Sequence, residues 1–150
     1  MKEIYITSSV EETELLGASF ARELVEAYDG ECIFVAMYGD LGAGKTAFVR
    51  GFASVISPNS AVRSPTYTIV NEYRKDNING ISLYHFDMYR ITDEDELYSI
   101  GFFDYIKNGG ICIAEWCENI KPCIPYDLGI KTVTIEKFLD DENKRKINFA

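Results

Sequence analysis

Hydrophobic and polar positions change rhythm several times along the chain, and each change predicts an element. EIYIT (3–7) alternates weakly, as a short strand does. Apolar residues then fall at Leu16, Phe20 and Leu24, a spacing that lines one face of a helix. Ser9 followed by Glu12 reads as a capping box at its start, and Asp29-Gly30 stops it. CIFVAMY (32–38) is an unbroken apolar run, expected of a strand covered on both faces. KTAFVRGFASVI (45–56) returns to helical spacing, and Ser57-Pro58-Asn59-Ser60 is a loop.

The second half of the chain is richer in strands. TYTIVNEY (66–73) and ISLYHFD (81–87) flank KDNING, whose Asn79-Gly80 pair predicts a turn, so the two runs form a hairpin or adjacent strands. Asp93 to Tyr98 reads as helix with Thr92 as its cap, and GGICIAE (109–115) as a glycine-led buried strand. Residues 121–128 hold two prolines and read as loop. KTVTIEKF and KRKINF around DDEN predict a closing hairpin. No repeat, low-complexity segment or linker interrupts the order, so residues 1–150 are expected to form one domain.

Composition narrows the class. Hydrophobic residues make up 47% of the chain, which excludes a disordered or fibrous protein. A basic-then-apolar leader and a membrane-length apolar run are both missing, so a soluble, cytoplasmic chain without a membrane partner is expected. Cys112, Cys117 and Cys123 do not have the paired spacing of zinc knuckles, while Cys32 and Cys112 sit inside apolar runs as small core residues. Net charge is −9, the wrong sign for a protein that grips nucleic acid unaided. Arg50, Arg63, Arg74, Lys75 and Arg90 form either a local basic patch for phosphates or a partner, or ordinary surface charge.

Between the buried strand and the second helix stands GDLGAGKT (39–46), with Gly39, Gly44, Lys45 and Thr46 at the spacing of a phosphate-cradling P-loop. Glycines let backbone amides close around anionic oxygens, and a helix starting at Lys45 adds its N-terminal amides and dipole. Lys45 supplies a point charge at the outer phosphates, and the Thr46 hydroxyl suits a Mg²⁺ ion. The strand–loop–helix context predicts an α/β fold. Its sheet is P-loop NTPase-like, with a mostly parallel centre flanked by helices and antiparallel hairpin additions.

Hydrolysis needs acids near the metal, and two close apolar strands. Glu115 ends ICIAE in the manner of a Walker B strand, and Asp87 ends LYHF. Either acid serves the metal or an attacking water, or else is a solvated loop residue or cap. RSPTYT (63–68), containing Ser64 and Thr66, occupies the place of a switch loop; a structural turn before a strand reads equally well. His85 is the sole histidine and shares a strand face with Asp87, which favours a structural, hydrogen-bonded histidine over a general base. Trp116 is either a core plug or a platform beside the nucleotide or a partner.

GDLGAGKT, SPTYTIVNEY, YHFDMYRI and EWCE, in this order and at these separations, resemble the TsaE family over roughly residues 10 to 120, and the closing hairpin fits too. The resemblance implies a P-loop ATPase, using ATP and Mg²⁺, that works with a TsaD–TsaB complex in threonylcarbamoyl modification of adenosine 37 of ANN-decoding tRNAs. Transfer belongs to TsaD, and tRNA is reached through the complex. It implies phosphate binding by Gly42, Ala43, Gly44 and Lys45, and metal binding by Thr46 and Glu115, with Asp87 near the metal or water. It further implies Thr13 near the base, Ser64 and Thr66 in a switch-like loop, and Trp116 in the EW pair. Ala47 departs from a second Thr common in the family, leaving only its backbone amide for the nucleotide; Cys117 departs as well.

Two other functions fit a P-loop. A small-molecule kinase would need a basic lid, but TDEDELYSIGFFDYI is acidic and aromatic. A nucleotide-dependent binding switch, with hydrolysis as a timer, shares every motif with an ATPase.

Overall fold

A computed structural model describes residues 3–40, 42–58, 62, 69–73, 80–125 and 128–150. The order of elements is β1 (Glu3–Thr7), α1 (Val10–Ala27), β2 (Ile33–Tyr38), α2 (Lys45–Ile56), β3 (Val70–Tyr73), β4 (Leu83–Asp87), α3 (Glu94–Ser99), α4 (Phe102–Lys107), β5 (Ile111–Glu115), β6 (Ile130–Lys137) and β7 (Arg145–Phe149). Strands form one seven-stranded sheet in the order β1-β7-β6-β2-β5-β4-β3. Its centre, β6-β2-β5-β4, is parallel, while β3 on one side and β7 and β1 on the other run antiparallel to their neighbours. The expected mixed sheet, with a parallel centre and hairpin additions, is what forms.

Both faces of the sheet are covered, which explains the unbroken apolar runs of β2 and β5. Val35, Met37, Leu83, Ile111, Ile113, Val133 and Ile135 pack beneath α1 and α2. Phe34, Ala36, Tyr84, Phe86, Cys112 and Ala114 pack with Leu97 of α3 and Phe102 of α4 on the other face. Alternate residues of one strand therefore serve two cores, and the strand-end acids inherit the α1/α2 face.

α1 starts as expected, with Ser9 Oγ accepting from the Glu12 amide at 3.1 Å. The Glu12 carboxylate turns back to the amide of Ser8, one residue before the cap. Its buried line differs from the predicted one: Gly17, Ala18, Ala21 and Leu24 are buried, whereas Leu16 and Phe20 pack from the rim. α2 lies so close that only small residues fit between them. At Gly51 an added β-carbon would sit 1.8 Å from the Glu14 carbonyl oxygen, and at Gly17 2.2 Å from that of Phe48.

Three local expectations need correction. The cap of α3 is Asp93 rather than Thr92, because Asp93 Oδ1 reaches the Glu96 amide at 2.9 Å while the Thr92 hydroxyl donates to the Glu96 carboxylate. A second short helix, α4, follows Gly101, with Phe102 buried and Tyr105 and Ile106 on the same side. Residues 121–128 are not wholly loop: Lys121–Cys123 make a turn of 3-10 helix that tolerates Pro122 near its start. β3 and β4 pair as expected, from Val70 opposite Phe86 to Tyr73 opposite Leu83; the turn at 74–79 lies outside the described residues.

Candidate functional site

β2 delivers the chain to the loop at the C-terminal edge of the parallel strands, where ligands bind in open α/β sheets. Gly39 leaves β2 with φ 152°, and a β-carbon there would meet the Ile135 carbonyl oxygen of neighbouring β6 at 2.6 Å. Gly44 caps α2 in the left-handed region at φ 106°. The first bond within α2 runs from the Phe48 amide to the Gly44 carbonyl, so the amides of Lys45, Thr46 and Ala47 precede the helical ladder. Together with the helix dipole these amides suit an anion. Ala47 is buried, so the missing hydroxyl is replaced by a packed methyl group.

Lys45 is 6% exposed, and its ammonium is held at three sides. Nζ donates to the Gly39 carbonyl at 2.7 Å, lies 3.9 Å from Glu115 Oε1, and sits 4.3 Å from the centre of the Trp116 ring. Glu115 is buried at the end of β5, and its other oxygen, Oε2, lies 2.6 Å from His85 Nε2. Asp87 ends the adjacent β4 in register with Glu115; its Oδ1 accepts from the Tyr89 amide at 2.9 Å. Lys45, Glu115, Trp116 and His85 are thus one cluster, with Asp87 beside it.

Backbone strain gathers at the same edge. Among the described residues, Ile69 (φ 68°) and Trp116 (φ 60°) are the non-glycine positions with positive φ. Ile69 accepts a hydrogen bond from the Asp87 amide at 2.8 Å, and Trp116 follows Glu115 directly. Trp116 is half-buried, with Tyr89 edge-on at 5.1 Å. It packs on the edge of the far-face core and at the same time stands against the loop lysine.

Thr13 is buried at the start of α1, its hydroxyl 2.8 Å from that of Thr7 and donating to the Ser9 carbonyl, so those contacts tie it to β1. Arg50 pairs with Glu14 at 2.7 Å across the α1–α2 contact and does not join a phosphate patch. Ser64, Thr66, Arg63, Arg74 and Lys75 lie outside the described residues. Cys117 is a core residue: its thiol donates to the Ala114 carbonyl, and burial pushes it up to about 12. A cavity of about 340 Å³ between α1 and the β1–β7–β6 edge shares no lining residue with the loop or the acids, so the chemistry is not placed there.

Two cations at the loop escaped the sequence reading. Arg145 Nε donates to the Ala43 carbonyl at 2.7 Å, and its Nη1 to the carbonyls of Glu142 and Lys144. Lys137, opposite Arg145 across β6 and β7, brings Nζ to 3.1 Å from where a Gly42 β-carbon would stand. The signal was there in KF and KRK flanking an acidic turn, but nothing local ties that hairpin to a loop about a hundred residues earlier.

The family described as "Threonylcarbamoyl adenosine biosynthesis protein TsaE" matches residues 7–147. The chain belongs to the TsaE family. Among curated relatives, the tRNA threonylcarbamoyladenosine biosynthesis protein TsaE of Haemophilus influenzae is 43% identical over 109 residues, 73% of this chain and 67% of that protein. The TsaE of Aquifex aeolicus is 39% identical over 149 residues, 98% and 94% of the two chains. The crystal structure of YdiB from Bacillus subtilis superposes with a TM-score of 0.71 at 30% identity, covering 99% of this chain and 84% of that one. The resemblance carried by the four TsaE motifs therefore holds. Among the described residues no helix is long and apolar enough to cross a membrane.

Proposed function

We propose that this TsaE-family chain is a Mg²⁺-dependent P-loop ATPase, one domain over residues 1–150. It serves threonylcarbamoyl modification of adenosine 37 in ANN-decoding tRNAs together with a TsaD–TsaB complex in the cytoplasm. The observation that carries the reading is the buried Lys45 ammonium, placed between the Gly39 carbonyl and Glu115 at the loop's edge. A lysine in that position has no packing role that a shorter apolar residue would not fill better. Names given to the relatives support the pathway.

The residues present fit the nucleotide and its metal. Glycine-framed amides and the α2 N-terminus suit the phosphates, and Lys45 neutralises the outer oxygens in exchange for the Gly39 carbonyl. Thr46 and Glu115 would hold Mg²⁺, which supplies charge neutralisation along the phosphates. Magnesium usually takes one or two protein ligands beside phosphate and water, so a larger acidic cluster is not needed. Asp87, level with Glu115, would orient water. Ser64 and Thr66 would complete a switch-like loop, and Trp116 would report occupancy to a partner. The kinase reading is disfavoured because α3 and α4, which hold the acid-rich stretch, pack on the far face of the sheet and supply no lid.

The test is ATP hydrolysis by the purified chain, alone and with TsaD, TsaB and tRNA. Slow turnover alone, changed by the complex and abolished in Lys45→Ala with the fold intact, is expected. Glu115→Gln should still bind nucleotide while turnover falls by about two to three orders of magnitude, the scale of losing an electrostatic group at a reacting phosphate. Wild-type turnover in both variants would refute the assignment.

A further inference from the structure

The two oxygens of Glu115 have different neighbours. Oε2 lies 2.6 Å from His85 Nε2, whereas Oε1 faces Lys45 Nζ at 3.9 Å. His85 is 0% exposed in the middle of β4, on the strand face that also carries Leu83 and Asp87. Its Nδ1 is buried and has no hydrogen-bond partner among the described residues.

That orphaned nitrogen separates two explanations. A histidine kept for core structure would satisfy both ring nitrogens, because a buried nitrogen without a partner is unfavourable. An apolar residue would fill the position without that penalty, as Leu83 does two residues earlier on the same face. Among the described residues, the ring's one polar contact is the carboxylate that ends the next strand. Parallel pairing sets His85 opposite Ile113, so the ring reaches diagonally to Glu115.

We propose that His85 is a positioning residue for Glu115. An ionised carboxylate only accepts, so it is Nε2–H that donates to Oε2. With Oε2 engaged, Glu115 offers the cation one oxygen, Oε1, on the side of the loop lysine. One-oxygen binding suits small, strictly octahedral Mg²⁺ and withholds the bidentate mode that Ca²⁺ can also use. The inference rests on the reading of Glu115 as the magnesium ligand and adds the device that orients it and selects its ion.

As the sole histidine, His85 gives one set of imidazole signals in chain labelled with ¹⁵N-histidine. The protonated nitrogen should be Nε2; an Nδ1–H tautomer overturns the proposal. Mg²⁺ is then titrated by calorimetry into chain saturated with a non-hydrolysable ATP analogue. His85→Leu should weaken Mg²⁺ by about 10–100-fold, the usual effect of losing a partner that orients a metal ligand, and narrow its preference over Ca²⁺. His85→Gln, whose amide N–H can reach Oε2, should recover most of the loss. Equal Mg²⁺ affinity in wild type and His85→Leu, or equal losses in the leucine and glutamine variants, overturns the proposal. The tautomer and the glutamine variant decide even if the leucine variant folds poorly. Unmutated chain that ignores Mg²⁺ altogether refutes the proposed function first, before any variant is measured.

Discussion

Replacing Gly51 by alanine tests the close contact between α1 and α2. A β-carbon there would stand 1.8 Å from the Glu14 carbonyl oxygen and 2.6 Å from its carbon. A tight carbon–oxygen contact needs about 3.3 Å, so the helices must part by roughly 1.5 Å. The obstacle is backbone, which cannot rotate aside as a side chain would. Overpacking of this kind costs about 3 kcal/mol at the upper end of its usual range. Alanine returns about 1 kcal/mol through its better helix propensity. The net loss is about 2 kcal/mol, which lowers the melting temperature by about 4–8 °C in a domain of this size. Urea unfolding and thermal melts by circular dichroism measure it, with exposed Ser19→Ala in α1 as the control, expected within about 0.5 kcal/mol of wild type. Gly17→Ala should also destabilise, and the double variant by less than the two together, since one parting of the helices relieves both clashes. A Gly51→Ala chain as stable as wild type, or more so, would mean that the helices do not touch here.

Arg145→Ala releases the Ala43 carbonyl and should weaken ADP binding about tenfold, the scale of one charged hydrogen bond, as read by calorimetry; unchanged affinity would show that the loop needs no brace. Cys32 and Cys112 share a hydrogen bond at 3.8 Å that holds the Cys32 thiol below its ordinary value and, with burial, lifts Cys112 well above. Cys32 should therefore be alkylated by iodoacetamide ahead of Cys112, with a pH midpoint below that of an ordinary cysteine. Cys112→Ala removes the hydrogen-bond partner, leaves the burial and should move that midpoint upward; a midpoint that stays put refutes the pairing.

The strand–loop–helix arrangement around GDLGAGKT was legible because its parts are contiguous: strand, glycines, lysine and helix occupy neighbouring positions and need no knowledge of the sheet. Glu115 and Asp87 were legible because an apolar run ending in a carboxylate says where the strand stops. The link between His85 and Glu115 was not, since it exists only once β4 and β5 lie side by side. The same holds for Arg145 and Ala43, joined by a hairpin crossing to the other flank of β2. Leu16 and Phe20 misled for a different reason. Hydropathy ranks residues by size and oiliness, whereas the α1–α2 contact selects for the absence of a side chain. Asp93 displaced Thr92 because either oxygen can cap, and only geometry says which one reaches the Glu96 amide.

The brace on the loop also sets a clock. Arg145 follows Ala43 by 102 residues in the chain. At about 5–20 residues added per second, the ribosome makes the loop roughly 5–20 s before it makes the arginine that steadies it. β6, whose Ile135 carbonyl closes against Gly39, arrives in the same late interval. Through that window the nascent chain carries the whole phosphate motif without its support. On the function proposed above, full nucleotide affinity would arrive with the last hairpin and not with the motif itself, so a chain stalled before β7 would hold the signature of a nucleotide site and bind weakly.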